Sequence, residues 1–279
     1  MIIIYFIFCH QDVNIINSVY QEKSRFQDEF FPSDPLTKCE LMAKKFGKIC
    51  SLRNSFILVM YYPIMVYNPV MIDAKHTYDL EAFTVPKHYS QDLDSILIPK
   101  GMIKDRIEKL AKDIHKDYQN KSLILICVLK GGEKFFADLS HFLDVLNSND
   151  KKKGVPFQHD YLKAKSYEND ASTGNVRLTL TDFASLKGKH ILLVEDIVDT
   201  GKTMVRIISE LQKHGAASIK VACLLVKNTK KSNGYTPDYA GFIIPDIFVV
   251  GYCLDYNEHF RDLSHICIIN NKGKEKYKN

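Results

Sequence analysis

His190-Ile-Leu-Leu-Val-Glu195-Asp196-Ile-Val-Asp199-Thr200-Gly201-Lys202-Thr203 decides how this 279-residue chain is read. His190 to Val194 is short, apolar and β-rich enough to be a buried strand. It delivers two adjacent carboxylates, then two apolar residues, then a small turn that opens a helix from about Thr203 to Lys213. A turn leading into a helix presents free backbone N–H groups and a positive dipole end, which suits a phosphate monoester. Thr200 and Thr203 add hydroxyl donors, and Gly201 lets the backbone approach closely. Glu195 and Asp196 are acceptors suited to ribose hydroxyls or to magnesium through water. An ordinary helix cap at Asp199 or Thr200 would use the same residue types, but it gives no reason for two acids directly after a hydrophobic strand. Gly-Lys-Thr also ends a P-loop, which needs a glycine five positions before Gly201. That position is Asp196, so the P-loop fails on spacing.

Outward from this segment the chain alternates strands and helices. Met102 to Tyr118 places Ile103, Ile107, Leu110, Ala111 and Ile114 on one stripe, an amphipathic helix. Ser122 to Leu129 reads as a buried strand ending in Lys130-Gly131-Gly132, and Lys134 to Leu146 as a helix. Ile219 to Val226, Ile247 to Cys253 and His265 to Ile269 read as further strands. This alternation implies an α/β fold with a mainly parallel central sheet flanked by helices, ligands lying beyond the carboxyl ends of the strands. Lys163 to Lys189 is polar, and a loop of that length in a compact domain is functional or disordered.

Apolar residues at 46% and charged residues at 25% describe a globular chain that builds a core without disulfides. The seven scattered cysteines contain no C-x-x-C spacing, the pattern of a reducing, cytoplasmic setting. Net charge is only +5, and no interleaved Arg and aromatic residues suggest a nucleic-acid groove. The lysines at 272, 274, 276 and 278 read as a frayed, solvated tail. Residues 1–72 form an extension of no assigned role ahead of a domain over 73–279. Its run Met1 to Cys9 is too short to span a bilayer, and Phe56 to Ile72 is broken by Pro63, Asn68 and Pro69, so membrane insertion is not expected. The open readings for the extension are a loosely ordered arm or a start site upstream of the true one.

V-E-D-I-V-D-T-G-K-T resembles the phosphoribosyl pyrophosphate (PRPP) motif of type I phosphoribosyltransferases, specifically their hypoxanthine-guanine branch. Val128-Leu-Lys-Gly-Gly132, Lys165-Ser-Tyr167, Ala222-Cys-Leu-Leu-Val-Lys227, Pro237-Asp-Tyr-Ala-Gly-Phe242, Phe248-Val-Val-Gly-Tyr252, Leu254-Asp-Tyr-Asn-Glu258 and Phe260-Arg-Asp-Leu263 extend the likeness over roughly residues 73–279. The resemblance implies the type I phosphoribosyltransferase fold, with a small hood from about 73–100 and 232–279. The implied activity is transfer of 5-phosphoribose from PRPP to hypoxanthine or guanine, giving IMP or GMP plus pyrophosphate, with magnesium and a homodimer or homotetramer. It places the 5-phosphate on Asp199, Thr200, Gly201, Lys202 and Thr203, and the ribose hydroxyls and one magnesium on Glu195 and Asp196. Asp199 becomes the general base or acid at purine N7, a role that burial would assist. Lys227 would bond the 6-oxo group and Phe248 would stack on the purine, with backbone groups of Val249 and Asp255 reading the ring edge. Asp255 would be the second magnesium ligand. Arg261 and the Lys130-Gly131 loop, where the family has a strained cis peptide, would hold pyrophosphate. Ser166 and Tyr167 would close over the reaction centre and exclude water.

Three positions depart from the family pattern. Lys163 and Lys231 replace arginines and lose the bidentate fork, and Glu133 replaces an aromatic. They bear on affinity and rate rather than on reaction class. The second reading is a catalytically weak paralogue that binds nucleotide as a regulatory protein.

Overall fold

The computed structural model describes residues 68–150, 154–166 and 176–278. Met1 to Cys9 and most of Phe56 to Ile72 lie outside them. In chain order the elements are β1 (Val70–Met71), β2 (Leu93–Ile98), α1 (Lys100–Asp117), β3 (Leu123–Leu129) and α2 (Glu133–Asn149). Then come β4 (Phe157–Ser166), β5 (Val176–Thr179), β6 (His190–Val198), α3 (Lys202–Gln212) and β7 (Ser218–Asn228). The chain closes with β8 (Tyr239–Pro245), β9 (Val249–Val250), β10 (Ile266–Ile269) and α4 (Asn271–Lys276).

Seven strands form one sheet in the order β1-β8-β7-β6-β3-β4-β5. Every neighbouring pair is parallel except β4 with β5 at the edge. Strands β3 and β6 sit at its centre, where both faces are covered, which is why they read as unbroken apolar runs. The α1 stripe of Ile103, Ile107, Leu110, Ala111 and Ile114 is fully buried and joins α2, through Phe135, Phe136, Leu139 and Leu143, on one face. On the other face Met204, Ile207 and Leu211 of α3 pack on Ile191, Leu193, Val221 and Cys223. The thiols of Cys127, Cys223, Cys253 and Cys267 are all buried and unpaired, and burial pushes that of Cys267 up to about 12, so they act as packing groups. Among the described residues no helix is long and apolar enough to cross a membrane.

A second, antiparallel sheet has the order β2-β10-β9. One of its faces packs Leu97, Ile98, Val249 and Ile266 on the main core, and the other gathers Tyr89, Leu93, Ile96, Val250, Phe260 and Leu263.

The structure corrects several sequence expectations. The strand beside β7 is Tyr239–Pro245, which the sequence reading did not mark as a strand. Gly241 interrupts the apolar pattern because a side chain there would meet the Leu224 carbonyl oxygen at 2.6 Å. The run Ile247 to Cys253 yields only the two residues of β9, because Tyr252 and Cys253 turn into left-handed conformations (φ +53° and +77°) that no strand continues through. Residues 239–245 therefore belong to the main sheet rather than to the hood, and β1 joins that sheet ahead of residue 73. Within the polar stretch Lys163 to Lys189, the first residues finish β4 and Val176–Thr179 returns antiparallel to it. An edge pair with one wet face carries polar residues without being a loop.

The lysine-rich tail is not frayed. Asn270 caps α4, its side chain accepting from the Gly273 N–H at 2.8 Å. Lys276 Nζ donates to Asp92 Oδ2 at 2.7 Å, and the Tyr277 hydroxyl donates to the same oxygen at 3.1 Å. Asp92 is only 1% exposed, and a buried carboxylate needs such partners.

The reassignment of β8 sets a contrast in stability. Phe242→Ala, in the core of β8, should cost about 3–5 kcal/mol in urea unfolding of the full chain. Phe248→Ala, at an exposed ring, should stay within about 0.5 kcal/mol. Equal losses at the two positions would contradict the strand assignment.

Candidate active site

The site begins where two central strands part. Strand β3 pairs with β6 only as far as Cys127 opposite Val194, so Glu195 and Asp196 project beyond their last β3 partner. From there β3 leads through α2 to β4 on one side, and β6 leads through α3 to β7 on the other. Such a divergence opens a crevice at the carboxyl ends of the strands.

The turn after β3 closes one wall of this crevice. A Cβ on Gly131 would lie 1.6 Å from Asp196 Oδ2, so only glycine lets the turn seat on that carboxylate. Gly132 is as confined, with the Val128 and Val194 carbonyl oxygens at 2.7 and 2.9 Å from a Cβ. The Leu129–Lys130 peptide is cis. The Ile197 N–H donates to Asp196 Oδ1 at 2.7 Å and fixes the carboxylate further. Beside it the Glu195 carboxyl is held well above the usual range, first by desolvation and then by its carboxylate neighbour Asp196.

The segment Asp199 to Thr203 forms the second wall. Gly201 takes φ +79°, and a Cβ there would also strike Asn233 Oδ1 at 2.4 Å. Gly201 stands at the N-cap of α3 and offers no capping side chain, while the Lys202 N–H reaches the Thr200 hydroxyl oxygen at 3.5 Å. The Thr200 carbonyl accepts from the Asn233 N–H at 2.9 Å, and the Tyr235 N–H donates to Asn233 Oδ1 at 3.0 Å. Residues 233–235 therefore brace the turn from outside, a support that polar Asn and Gly residues in a loop did not announce. Lys202 and Thr203 are exposed. Lys227, near the end of β7, brings its ammonium to 3.5 Å from Asp199 Oδ2; its side chain is 13% exposed and that of Asp199 is 54% exposed. Asp199 thus lacks the burial that the sequence reading looked for.

The third wall is the stretch 252–261. Tyr252, Cys253, Asn257, Glu258 and Phe260 all have positive φ, at a cost of roughly 1 kcal/mol each. Packing holds them: Tyr252 and Phe260 are buried, and the Tyr252 hydroxyl donates to Asp138 Oδ2. The Phe260 N–H donates to the Tyr89 hydroxyl at 3.0 Å, and Asn257 Nδ2 donates to the Tyr277 carbonyl at 2.7 Å. The Phe260 ring meets Tyr277 edge-on at 5.0 Å. So the tail read as solvated supports this wall. On its inner side Arg261 pairs with Asp255 Oδ1 at 2.8 Å and with Glu258 Oε1 at 3.2 Å, and donates to the Cys253 carbonyl at 2.8 Å. Lys130 Nζ lies 2.9 Å from Glu258 Oε2, and the Cys253 thiol donates to the Lys130 carbonyl at 3.5 Å. The Lys130-Gly131 turn therefore touches both the acids of β6 and the cation cluster. Phe248, 44% exposed, meets Tyr256 edge-on at 5.6 Å, while Val249 is buried in β9. Ser166 ends β4 and Tyr167 lies outside the described residues. Lys163 is exposed on β4, Lys231 is exposed in a turn, and Glu133 opens α2, where a negative charge suits the helix dipole.

Comparison with known proteins agrees with this geometry. Residues 98–257 match the phosphoribosyl transferase domain. Over 210 residues the chain is 50% identical to the hypoxanthine-guanine phosphoribosyltransferase of Rattus norvegicus and 49% identical to that of Homo sapiens. Each alignment takes in 75% of this chain and 96% of the relative. The crystal structure of hypoxanthine-guanine phosphoribosyltransferase from Schistosoma mansoni in complex with IMP superposes with a TM-score of 0.64 at 40% identity, over 75% of this chain and 99% of that one. The chain belongs to the phosphoribosyltransferase family, and within it to the hypoxanthine-guanine branch.

The Gly131 contact is directly testable. Gly131→Ala pushes the Asp196 carboxylate aside and should lower kcat/KM for phosphoribosyl transfer about a hundredfold, as a misplacement of about 1 Å does. Gly101→Ala, where nothing lies within 4 Å of the added methyl, should leave it unchanged. Full activity in the Gly131 variant would remove the turn from the site.

Proposed function

We infer that the chain transfers the 5-phosphoribosyl group of PRPP to hypoxanthine or guanine, giving IMP or GMP and releasing pyrophosphate. One observation carries the reading at the level of the site: Asp199 and Lys227, from adjacent parallel strands, meet at 3.5 Å beside the glycine-capped start of α3. A cation suited to a purine oxygen and a carboxylate suited to a purine proton thus share one place.

The roles follow from that arrangement. The 5-phosphate lies on Asp199 to Thr203, held by backbone N–H groups and the two threonine hydroxyls. Glu195 and Asp196 receive the ribose hydroxyls. Lys227 donates to the 6-oxo oxygen, which favours 6-oxopurines over adenine; Phe248 offers its exposed ring to the purine face, and the backbone of Val249 and Asp255 addresses the ring edge. Lys130, Gly131 and Arg261 take the pyrophosphate, the guanidinium as a fixed planar donor. As the ribose C1–O bond breaks, its electron pair leaves with pyrophosphate, and a purine nitrogen pair forms the new bond. Asp199 is placed to exchange a proton at N7. Its carboxylate is open to solvent in the structure, so the desolvation that would raise its basicity comes from the bound base and ribose. Ser166, which ends β4, and Tyr167 after it close over the reaction centre and exclude water.

The donor set fits magnesium. Glu195 and Asp196 offer adjacent carboxylates, and their mutual repulsion is what a divalent cation relieves. Asp255 offers further lone pairs from the opposite wall, each of its oxygens already holding one partner. No cluster of three metal-ligating side chains exists among the described residues. Magnesium is typically bound by one or two carboxylates, with substrate oxygens and water completing its shell. When bound, it supplies charge that neutralises the departing pyrophosphate. The buried, unpaired cysteines support a reducing cytoplasmic location, and we expect a homodimer or homotetramer.

Two variants separate base recognition from chemistry. Asp199→Asn should lower kcat about a hundredfold or more while IMP affinity stays within about threefold, roughly the effect of a solvent-exposed ion pair. Lys227→Ala should raise KM for hypoxanthine about tenfold or more, the weight of a hydrogen bond to a charged group, with a smaller change in kcat. Unchanged kcat in the first, or unchanged KM in the second, would remove that residue from its role.

A further inference from the structure

Glu258 holds the two cations assigned above to pyrophosphate. Its carboxylate takes Lys130 Nζ at 2.9 Å on Oε2, and Arg261 at 3.2 Å on Oε1 and 3.4 Å on Oε2. The backbone presents it there deliberately: Glu258 is left-handed at φ +67°, its N–H donates to Asp255 Oδ2 at 2.8 Å, and its neighbour Asn257 is tied to Tyr277. The side chain itself is 63% exposed, so it can swing away without opening the core. Arg261 does not need Glu258 to keep its place, because Asp255 and the Cys253 carbonyl each hold the guanidinium at 2.8 Å. Two cations bridged by one exposed carboxylate are a paired anion site whose occupant can be exchanged.

We propose that Glu258 is an internal counterion of the pyrophosphate subsite, displaced when the pyrophosphate group of PRPP enters and returning to Lys130 and Arg261 as free pyrophosphate leaves. The proposal rests on the assignment of those cations to pyrophosphate. A group carrying several negative charges outcompetes one carboxylate for two cations, so binding survives the competition. The carboxylate also lowers the hold on the free product and shields the cations between turnovers. Neutralising Glu258 therefore tightens pyrophosphate binding, the opposite of what loss of a supporting residue would do.

The test is calorimetric titration of the full chain with magnesium pyrophosphate, together with the KM for pyrophosphate in the reverse reaction from IMP. E258Q keeps the shape of the side chain and removes its charge; it should lower both Kd and KM for pyrophosphate about fivefold, the equivalent of an exposed ion pair, with KM for hypoxanthine in the forward direction unchanged. Glu258→Asp, which keeps the charge, should remain within about twofold of the unaltered chain, well inside that single-pair scale. Unchanged or weaker pyrophosphate binding in E258Q, in protein of unaltered melting temperature, would overturn the proposal and make Glu258 a brace for the loop. An unaltered chain that neither binds pyrophosphate nor forms nucleotide would instead overturn the cation assignment, and the counterion with it.

Discussion

The seat of Gly131 on the Asp196 carboxylate fixes how far apart the ends of β3 and β6 stand. Both strands are locked in register through Cys127 and Val194, so the turn that follows β3 has only one height at which to meet β6. A β-carbon would not fit, and a longer turn would lose the contact. The same turn carries Lys130 and so brings one cation from beside the acids to the Glu258–Arg261 cluster. The crevice is therefore a product of sheet register, with the chemistry placed on its two rims.

The electrostatics of the site are divided in the same way. Acids stand on the β6 rim, where burial and mutual repulsion hold the Glu195 carboxyl high. Cations stand on the turn after β3, near the end of β7 and on the 252–261 wall, and each has a carboxylate partner in the structure: Lys130 with Glu258, Lys227 with Asp199, Arg261 with Asp255. A substrate that brings a phosphate, a pyrophosphate and a base therefore rearranges existing pairs instead of entering a field of one sign. Pairing of this kind keeps cations aligned at little net energy, since solvent-exposed pairs are weak, and leaves them available to a multiply charged ligand.

Much of this was legible in the sequence, for reasons that differ by element. Strand β6 could be read because a strand covered on both faces is continuously apolar, and the acids after it because nothing structural explains two carboxylates there. All five residues of the α1 stripe are buried, since periodicity and burial share one cause. Strand β8 was missed because Gly241 and Pro245 break its pattern, and the glycine answers to a carbonyl on β7 that no local window contains. The tail was misread because its order depends on Asp92, far away in the chain. Glu258 lay in plain view, yet an acid beside other polar residues reads as solvated until Lys130 and Arg261 are placed around it. Local patterns show which residues can do chemistry; partners distant in sequence decide which of them do.

The central claim is that one crevice binds PRPP and a 6-oxopurine and joins them with magnesium. It is tested most directly by following ultraviolet absorbance of the purified full-length chain with PRPP, magnesium and each purine in turn. The structure predicts nucleotide formation from hypoxanthine or guanine and not from adenine, lost on chelation and restored by added magnesium. Folded protein that binds IMP but turns over no purine would contradict it, and would make the chain a nucleotide-binding regulatory protein instead.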